Sequence, residues 1–346
     1  MKNNKIDLDP LKTSSYDYTL PKELIATHPA YPADSAKLLV YNKSEDKITH
    51  ITFKDLMQFI PDAVSIFLND TKVIKARIFG KKDSGGKIEL LFNKPLFMDR
   101  YLVMIRGKVK VGNKLFFDNN LNAEVLEVNE DGSRVVSFFK DDKKLDFLSL
   151  VDILNKIGHL PLPPYMNRED EEKDNQDYQT LFAKKYGAVA APTASLHFTE
   201  ELLNNINKKF PVNYLTLHVG AGTFKPVDVE DILSHPMHSE YFEIDLDAKK
   251  ALDEAKKVLA VGTTVTRTIE YYARTNKIQG ECDLFLNPLN KPIKVDHLLT
   301  NFHLPKSTLI MLIASFIGLE KTLEVYQEAI NNNYRFYSYG DGMLII

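Results

Sequence analysis

Residues Val258 to Arg274 read VLAVGTTVTRTIEYYAR. The opening residues are short and apolar, as in a strand buried on both faces. Gly262 ends the run, and from Thr263 the pattern turns helical through Arg274. Strand, glycine turn and helix in one line predict an α/β sheet. The same alternation continues outward. Val212 to Val219 reads as a strand running into a Gly-Ala-Gly turn at Gly220 to Gly222. Helices are expected from Thr199 as cap through Lys209, from Asp247 as cap through Lys257, over Ser307 to Gly318 and over Glu320 to Asn331. Towards the N-terminus, Phe147 to Ile157 is helical, Val64 to Asn69 a buried strand, and Lys37 to Tyr41 with Lys47 to Thr52 a strand pair. Short helices are expected at Leu20 to His28 and Phe53 to Ile60, and residues 1–15 read as a polar, mobile tract.

Between Lys72 and Phe139 the texture changes. Strand-like runs at Val73–Phe79, Ile88–Phe92, Tyr101–Ile105, Ala123–Val128 and Arg134–Phe139 follow one another with no helix between. Ser84-Gly85-Gly86 and Glu130-Asp131-Gly132 punctuate them as hairpin turns. This is how a small β-barrel reads. The expected fold is therefore mixed α/β: a discontinuous α/β domain over 1–71 and 145–346, with a β-barrel domain over 72–144 inserted in it.

The chain has 346 residues, 44 Lys plus Arg and 47 Asp plus Glu, so net charge alone says little about partners. Locally it says more. From Lys72 to Lys114 there are 12 basic residues against 3 acids. A barrel so charged either holds nucleic acid through phosphates or uses strand-edge lysines against aggregation. Glu169 to Asp177 is the reverse, an acidic run expected to be a solvated loop. The single cysteine, Cys282, excludes an intramolecular disulfide and fits a reducing cytoplasm. No signal-type N-terminus or membrane-length apolar run is present, so no membrane partner is expected.

Polar chemistry gathers in a few places. His235, His238 and Glu240 follow the glycine turn, and His218 precedes it. A metal reading of that trio lacks the helical H-E-x-x-H spacing, and Pro236 opposes a helix there; proton transfer or hydrogen bonding to a sugar or base fits better. Ser195 and His197, two apart, lack the G-x-S-x-G elbow of a hydrolase. Thr263 and Thr264 at a helix start, with Arg267 one turn on, suit an anionic group. Asn301 and His303 stand before another helix.

Nine stretches in order, among them NDTKVIKARIFG (69–80), YQTLFAKKYGAVAAPTASLHF (178–198), TLHVGAGTFKPV (216–227), AVGTTVTRTIE (260–270) and LLTNFHLPKSTLIMLIASF (298–316), carry a resemblance over Leu20 to the C-terminus. The chain resembles the S-adenosylmethionine:tRNA ribosyltransferase-isomerases of queuosine synthesis. The resemblance implies S-adenosylmethionine as a consumed ribosyl donor, with no permanently bound cofactor and no metal. It implies as acceptor the aminomethyl group of 7-aminomethyl-7-deazaguanine at the tRNA wobble position. The products it implies are epoxyqueuosine-tRNA, adenine and methionine. On that chemistry His197, His218, His238 and His303 are the acid–base candidates. Asp70, Glu240 and Asp341 are to offset the donor's positive charge, and Thr263, Thr264 and Arg267 to hold its carboxylate. Gly220 and Gly222 are to lie against adenine or ribose, with Asn301 as a further substrate contact. Arg77, Lys81, Lys82, Lys87 and Arg106 are the expected tRNA contacts, and a cytoplasmic monomer is expected. The sequence departs from the family pattern at Ser195, usually Gly, at Thr266, where a hydroxyl has moved one place, and at Ala33, usually Arg.

Overall fold

The computed structural model describes residues 8–224 and 227–346. Residues 1–7 of the N-terminal tract, and Lys225 and Pro226 of the TLHVGAGTFKPV stretch, lie outside the described residues.

Among the described residues nine strands form one mixed sheet. Their order is Gln279–Cys282, Glu240–Glu243, Val212–Leu217, Val64–Asn69, Lys257–Val261, His297–Asn301, Gly342–Ile345, Lys37–Asn42 and Lys47–Thr52. The four strands from Val212–Leu217 to His297–Asn301 are parallel neighbours, so their C-terminal ends share one edge. Both faces are covered, and burial is nearly continuous along them. Alternate residues feed two cores. Val258 and Ala260 meet Val265 and Ile269 of the helix Thr263–Thr275. Leu259 and Val261 meet Leu202 and Ile206 of the helix Glu200–Lys209 on the other side. The helices Thr308–Ile317 and Leu319–Asn331 cover Leu298, Met343 and Ile345.

A closed six-stranded barrel interrupts this sheet in the chain. Its strands run Arg134–Lys140, Arg100–Arg106, Lys87–Leu96, Arg77–Lys82, Lys114–Phe117 and Leu121–Val128, and the last pairs with the first. Period-two alternation puts Ile78, Leu90, Phe92, Val103, Leu115 and Phe138 inside. Leu150, Val151 and Leu154 of the helix Phe147–Ile157 join that core.

Some expectations yield to tertiary contacts. Leu20–His28 forms only the short turn Lys22–Leu24, because its backbone docks on Phe336: Ala26 N–H donates to Phe336 O, and Phe336 N–H to Leu24 O. Residues 8–16 are not loose. Thr13 bonds to Glu230 O and Val229 O, and Tyr16 is fully buried. Asp245, not Asp247, caps the helix Leu246–Glu254, accepting from Ala248 N–H at 2.8 Å. The acidic run is not wholly solvated, since Asp174 is buried and takes two bonds from Arg168 at 2.6 and 2.7 Å. The strand Lys114–Phe117 was not foreseen; four residues between turns give little pattern.

Candidate active site

Open α/β sheets bind ligands beyond the carboxyl ends of their strands. Here those ends carry Asn69, His218, Gly262 and Asn301, and Asn69 ties three of them together. Its Oδ1 accepts from the N–H groups of Leu217 and Thr71, both at 3.1 Å. Its Nδ2 donates to Leu217 O at 2.9 Å and to Thr264 Oγ1 at 3.2 Å. A fully buried amide with all these partners fixes the relative heights of the strand ends.

From this hub the bonding reaches His218. Thr71 Oγ1 lies 2.8 Å from His218 Nδ1. The imidazole stacks on Tyr241 at 5.9 Å. It is tightly approached by Gly187, where an added Cβ would lie 2.6 Å from the ring. Gly187 is therefore glycine for space, and the ring sits in a fixed slot. Burial, then the nearby Lys185, pushes His218 down to about 4, so it is neutral at physiological pH. The ring lines a cleft of about 700 Å³ between barrel and sheet, shared with His238, Gly220, Gly222, Glu240, Asn93 and Met104. Gly222 repeats the spacing logic, since a Cβ there would meet the His238 ring at 2.6 Å.

The glycine turn has its own anchor. Glu240 is buried, accepts from Gly220 N–H at 2.9 Å and pairs with Arg267. Arg267 also donates to Leu284 O and Cys282 O, each at 3.1 Å. Its guanidinium, expected to reach a donor carboxylate, holds Glu240 and two carbonyls, and the residue also lines the smaller cavity beside Thr263 and Thr264. Glu240 in turn has its charge met by the protein.

A second cavity, about 190 Å³, lies on the other side of the wall made by Gly187–Ala191 and Val219–Gly220. Val219 and Ala190 line the smaller cavity, while Gly220 and Gly187 line the cleft. Thr263, Thr264, Asn301 and His303 face the smaller cavity with Tyr178 and Tyr337. The candidate residues therefore line two separate hollows. His303 bonds to Thr300 Oγ1 at 3.0 Å, and burial lowers it to about 3. His197 lines neither space. Its Nε2 meets Asn301 Nδ2 at 3.2 Å, its ring packs on Phe53, and burial, then Arg335, lowers it to about 4. Asn301 also accepts from Thr193 Oγ1 at 2.9 Å.

Asp70 is buried beside the hub and accepts from Thr216 Oγ1 at 2.6 Å; burial raises its pKa. Asp341 stands apart from both cavities, accepting from the N–H groups of Lys37 and Arg335 at 3.0 and 2.7 Å. Its carboxylate shapes the C-terminal turn. His235 packs edge-on against Phe285, and among the described residues no group of three or more His, Cys, Asp or Glu is placed to hold a metal. On the barrel, Lys81 and Lys87 are exposed and directly paired across strands. Arg106 is exposed opposite Glu89, Lys82 reaches Lys108 O at 2.9 Å, and Arg77 is met by both Glu89 and Glu169. Sequence reasoning missed Asn69, Thr71 and Tyr241. The signal for Asn69 was a polar residue closing an otherwise apolar strand, which demands partners.

A barrel set into the chain of an α/β sheet thus leaves a cleft between them that holds two imidazoles. The sequence matches the queuosine biosynthesis protein family over residues 13–345, and the chain belongs to that family. It is 81% identical over 339 residues to the S-adenosylmethionine:tRNA ribosyltransferase-isomerase of Aliarcobacter butzleri, covering 98% of this chain and 100% of the relative. It is 64% identical to the enzyme of the same name from Nitratiruptor sp., again over 98% and 100%. The S-adenosylmethionine tRNA ribosyltransferase of Thermotoga maritima, a solved structure, is 32% identical and superposes with a TM-score of 0.53, covering 96% of this chain and 99% of that one.

Proposed function

We propose that this chain is an S-adenosylmethionine:tRNA ribosyltransferase-isomerase that carries out its bond changes in the cleft between barrel and sheet. The ribosyl group of the donor passes to the aminomethyl nitrogen of 7-aminomethyl-7-deazaguanine at the tRNA wobble position. The carbon–sulfur and glycosidic bonds break, methionine and adenine leave, and the isomerised ribosyl group remains on the RNA. The relatives' names and the family support the overall reaction. One observation supports the cleft: a neutral imidazole held by Thr71, Tyr241 and Gly187 lines it. The cleft's roughly 700 Å³ falls in the range of small-ligand sites, whereas the smaller cavity's 190 Å³ does not.

His218 takes the proton beside the donor's sulfonium, for which a neutral imidazole is the required state. His238, in the same cleft, returns a proton to the departing adenine. Asn69, Thr71 and Thr264 position His218, and Glu240 with Arg267 positions the glycine turn. Lys81, Lys87 and Arg106 draw in the tRNA backbone. The buried, unpaired Cys282 supports a reducing cytoplasm as the setting.

The test uses ribose-labelled S-adenosylmethionine and tRNA carrying the 7-aminomethyl base. Wild-type protein moves the label into tRNA and releases adenine. His218→Gln lowers turnover by roughly 10²- to 10⁴-fold with tRNA binding retained. Near-normal turnover in that variant would remove His218 as the base, and label absent from tRNA with wild-type protein would overturn the reaction assigned.

A further inference from the structure

The outer face of the barrel carries more than charge. On the strand Arg77–Lys82, Ile78 points into the core, so Phe79 and Lys81 share the outward face. Phe79 is 46% exposed and Phe116 is 44% exposed, although both belong to regular strands. Strand register brings them together: Phe116 lies directly opposite Lys81, and Lys87 is opposite Lys81 on the other side. Glu89 is opposite Phe79, and Arg106 is opposite Glu89. Phe79 and Phe116 are thus diagonal neighbours, about 7–8 Å apart in such a sheet. The Phe79 ring is held in place, with the Arg77 guanidinium 4.8 Å from its centroid and His159 edge-on at 5.5 Å. The patch continues inward: Arg77, Glu89 and Arg106 line a hollow of about 660 Å³, and Leu91 borders both that hollow and the histidine cleft.

We infer that Phe79 and Phe116 form a stacking platform for unpaired bases of the RNA loop that carries the modified nucleotide, with Lys81, Lys87 and Arg106 holding the phosphates between them. The inference rests on the tRNA reading above and adds the part of the RNA that is gripped. Aromatic faces interleaved with cations are the means by which single strands are held without sequence readout. A duplex keeps its base faces covered and cannot use them. A second copy of this chain does not fit, because an isologous contact would bring Lys81, Lys87 and Arg106 against themselves. Strand addition does not fit either, since the barrel is closed and has no free edge here.

The experiment measures binding of an anticodon stem–loop RNA, and of a blunt RNA duplex of equal length, at several salt concentrations. Both phenylalanines are exposed, so substitution leaves the barrel core intact. Phe79→Leu and Phe116→Leu are expected to weaken stem–loop binding roughly 5- to 100-fold each, without changing the salt slope. Phe79→Trp and Phe116→Trp restore it, and duplex binding stays the same in all four. Arg106→Gln instead lowers the salt slope by about 0.7 to 1. Leucine variants that bind the stem–loop within about twofold of wild type, or that lose duplex affinity equally, overturn the platform while leaving the ribosyl-transfer reading in place. Wild-type protein that binds neither RNA overturns both.

Discussion

At the scale of single residues, His218 and Ser195 are opposite cases. Thr71 Oγ1 is bonded to His218 Nδ1, and in the mechanism proposed above this leaves Nε2 to the donor, which makes Thr71 a positioning residue. Thr71→Val is expected to lower kcat more than it raises KM for S-adenosylmethionine, and Thr71→Ser to recover most of it. With His218 held down to about 4, the acid limb of kcat/KM should lie nearer pH 4 than the roughly 6.5 of a free imidazole. A limb at 6.5 would assign the titration to another group. Ser195 has a buried hydroxyl with no hydrogen-bond partner. Removing such a group relieves its desolvation cost, so Ser195→Ala should raise stability by about 1 kcal/mol, read as a higher urea midpoint at unchanged m.

At the scale of elements, the Glu240–Arg267 pair joins the strand Glu240–Glu243 to the helix Thr263–Thr275 and sets the height of the glycine turn. Both side chains are almost fully buried. Arg267→Met strands a carboxylate in the interior and should cost about 3–5 kcal/mol. The double variant Glu240→Leu with Arg267→Met should regain much of that stability but not the activity, because Gly220 N–H has lost its acceptor. Urea unfolding and adenine release, measured together, separate the two effects; full activity in the double variant would reduce the pair to packing. These elements were largely legible in the sequence. Apolar runs ending at Asn69, entering the glycine turn after Val219 and stopping at Gly262 marked three of the strands, whereas the strand His297–Asn301 was read only as polar groups before a helix. What spacing did not carry was which side of a backbone wall each polar group takes. His218 and Val219 are adjacent in sequence yet line different spaces. Nor did it show that Arg267 and Glu240, 27 positions apart, satisfy each other. Those facts depend on long-range register, which is set by the whole sheet rather than by local pattern.

At the scale of the whole molecule, the chain folds around imidazoles it keeps neutral. His197, His218 and His297 are lowered to about 4 and His303 to about 3, each chiefly by burial. In the unfolded chain they titrate near 6.5. Between those values the unfolded state binds more protons, so the contribution of these groups is complete above about pH 6.5 and is lost as the pH falls towards 4. Asp174 and Asp296, held below the usual carboxylate range, add further loss at lower pH. Asp70, raised by burial, opposes them, favouring the folded state as it protonates. Four imidazoles against one carboxylate fix the net direction. The urea midpoint should therefore hold steady from pH 8 to about 7 and fall steeply from about 6.5 to 4. His297 separates this from the chemistry, because it lines neither cavity and its Nδ1 is buried without a partner. His297→Leu should remove one proton from the linkage, flattening the acid decline by about 1.4 kcal/mol per pH unit while adenine release stays at the wild-type rate. A midpoint indifferent to pH between 7 and 5 would show that these histidines titrate alike in the folded and unfolded chain, and burial would then not be what keeps His218 neutral.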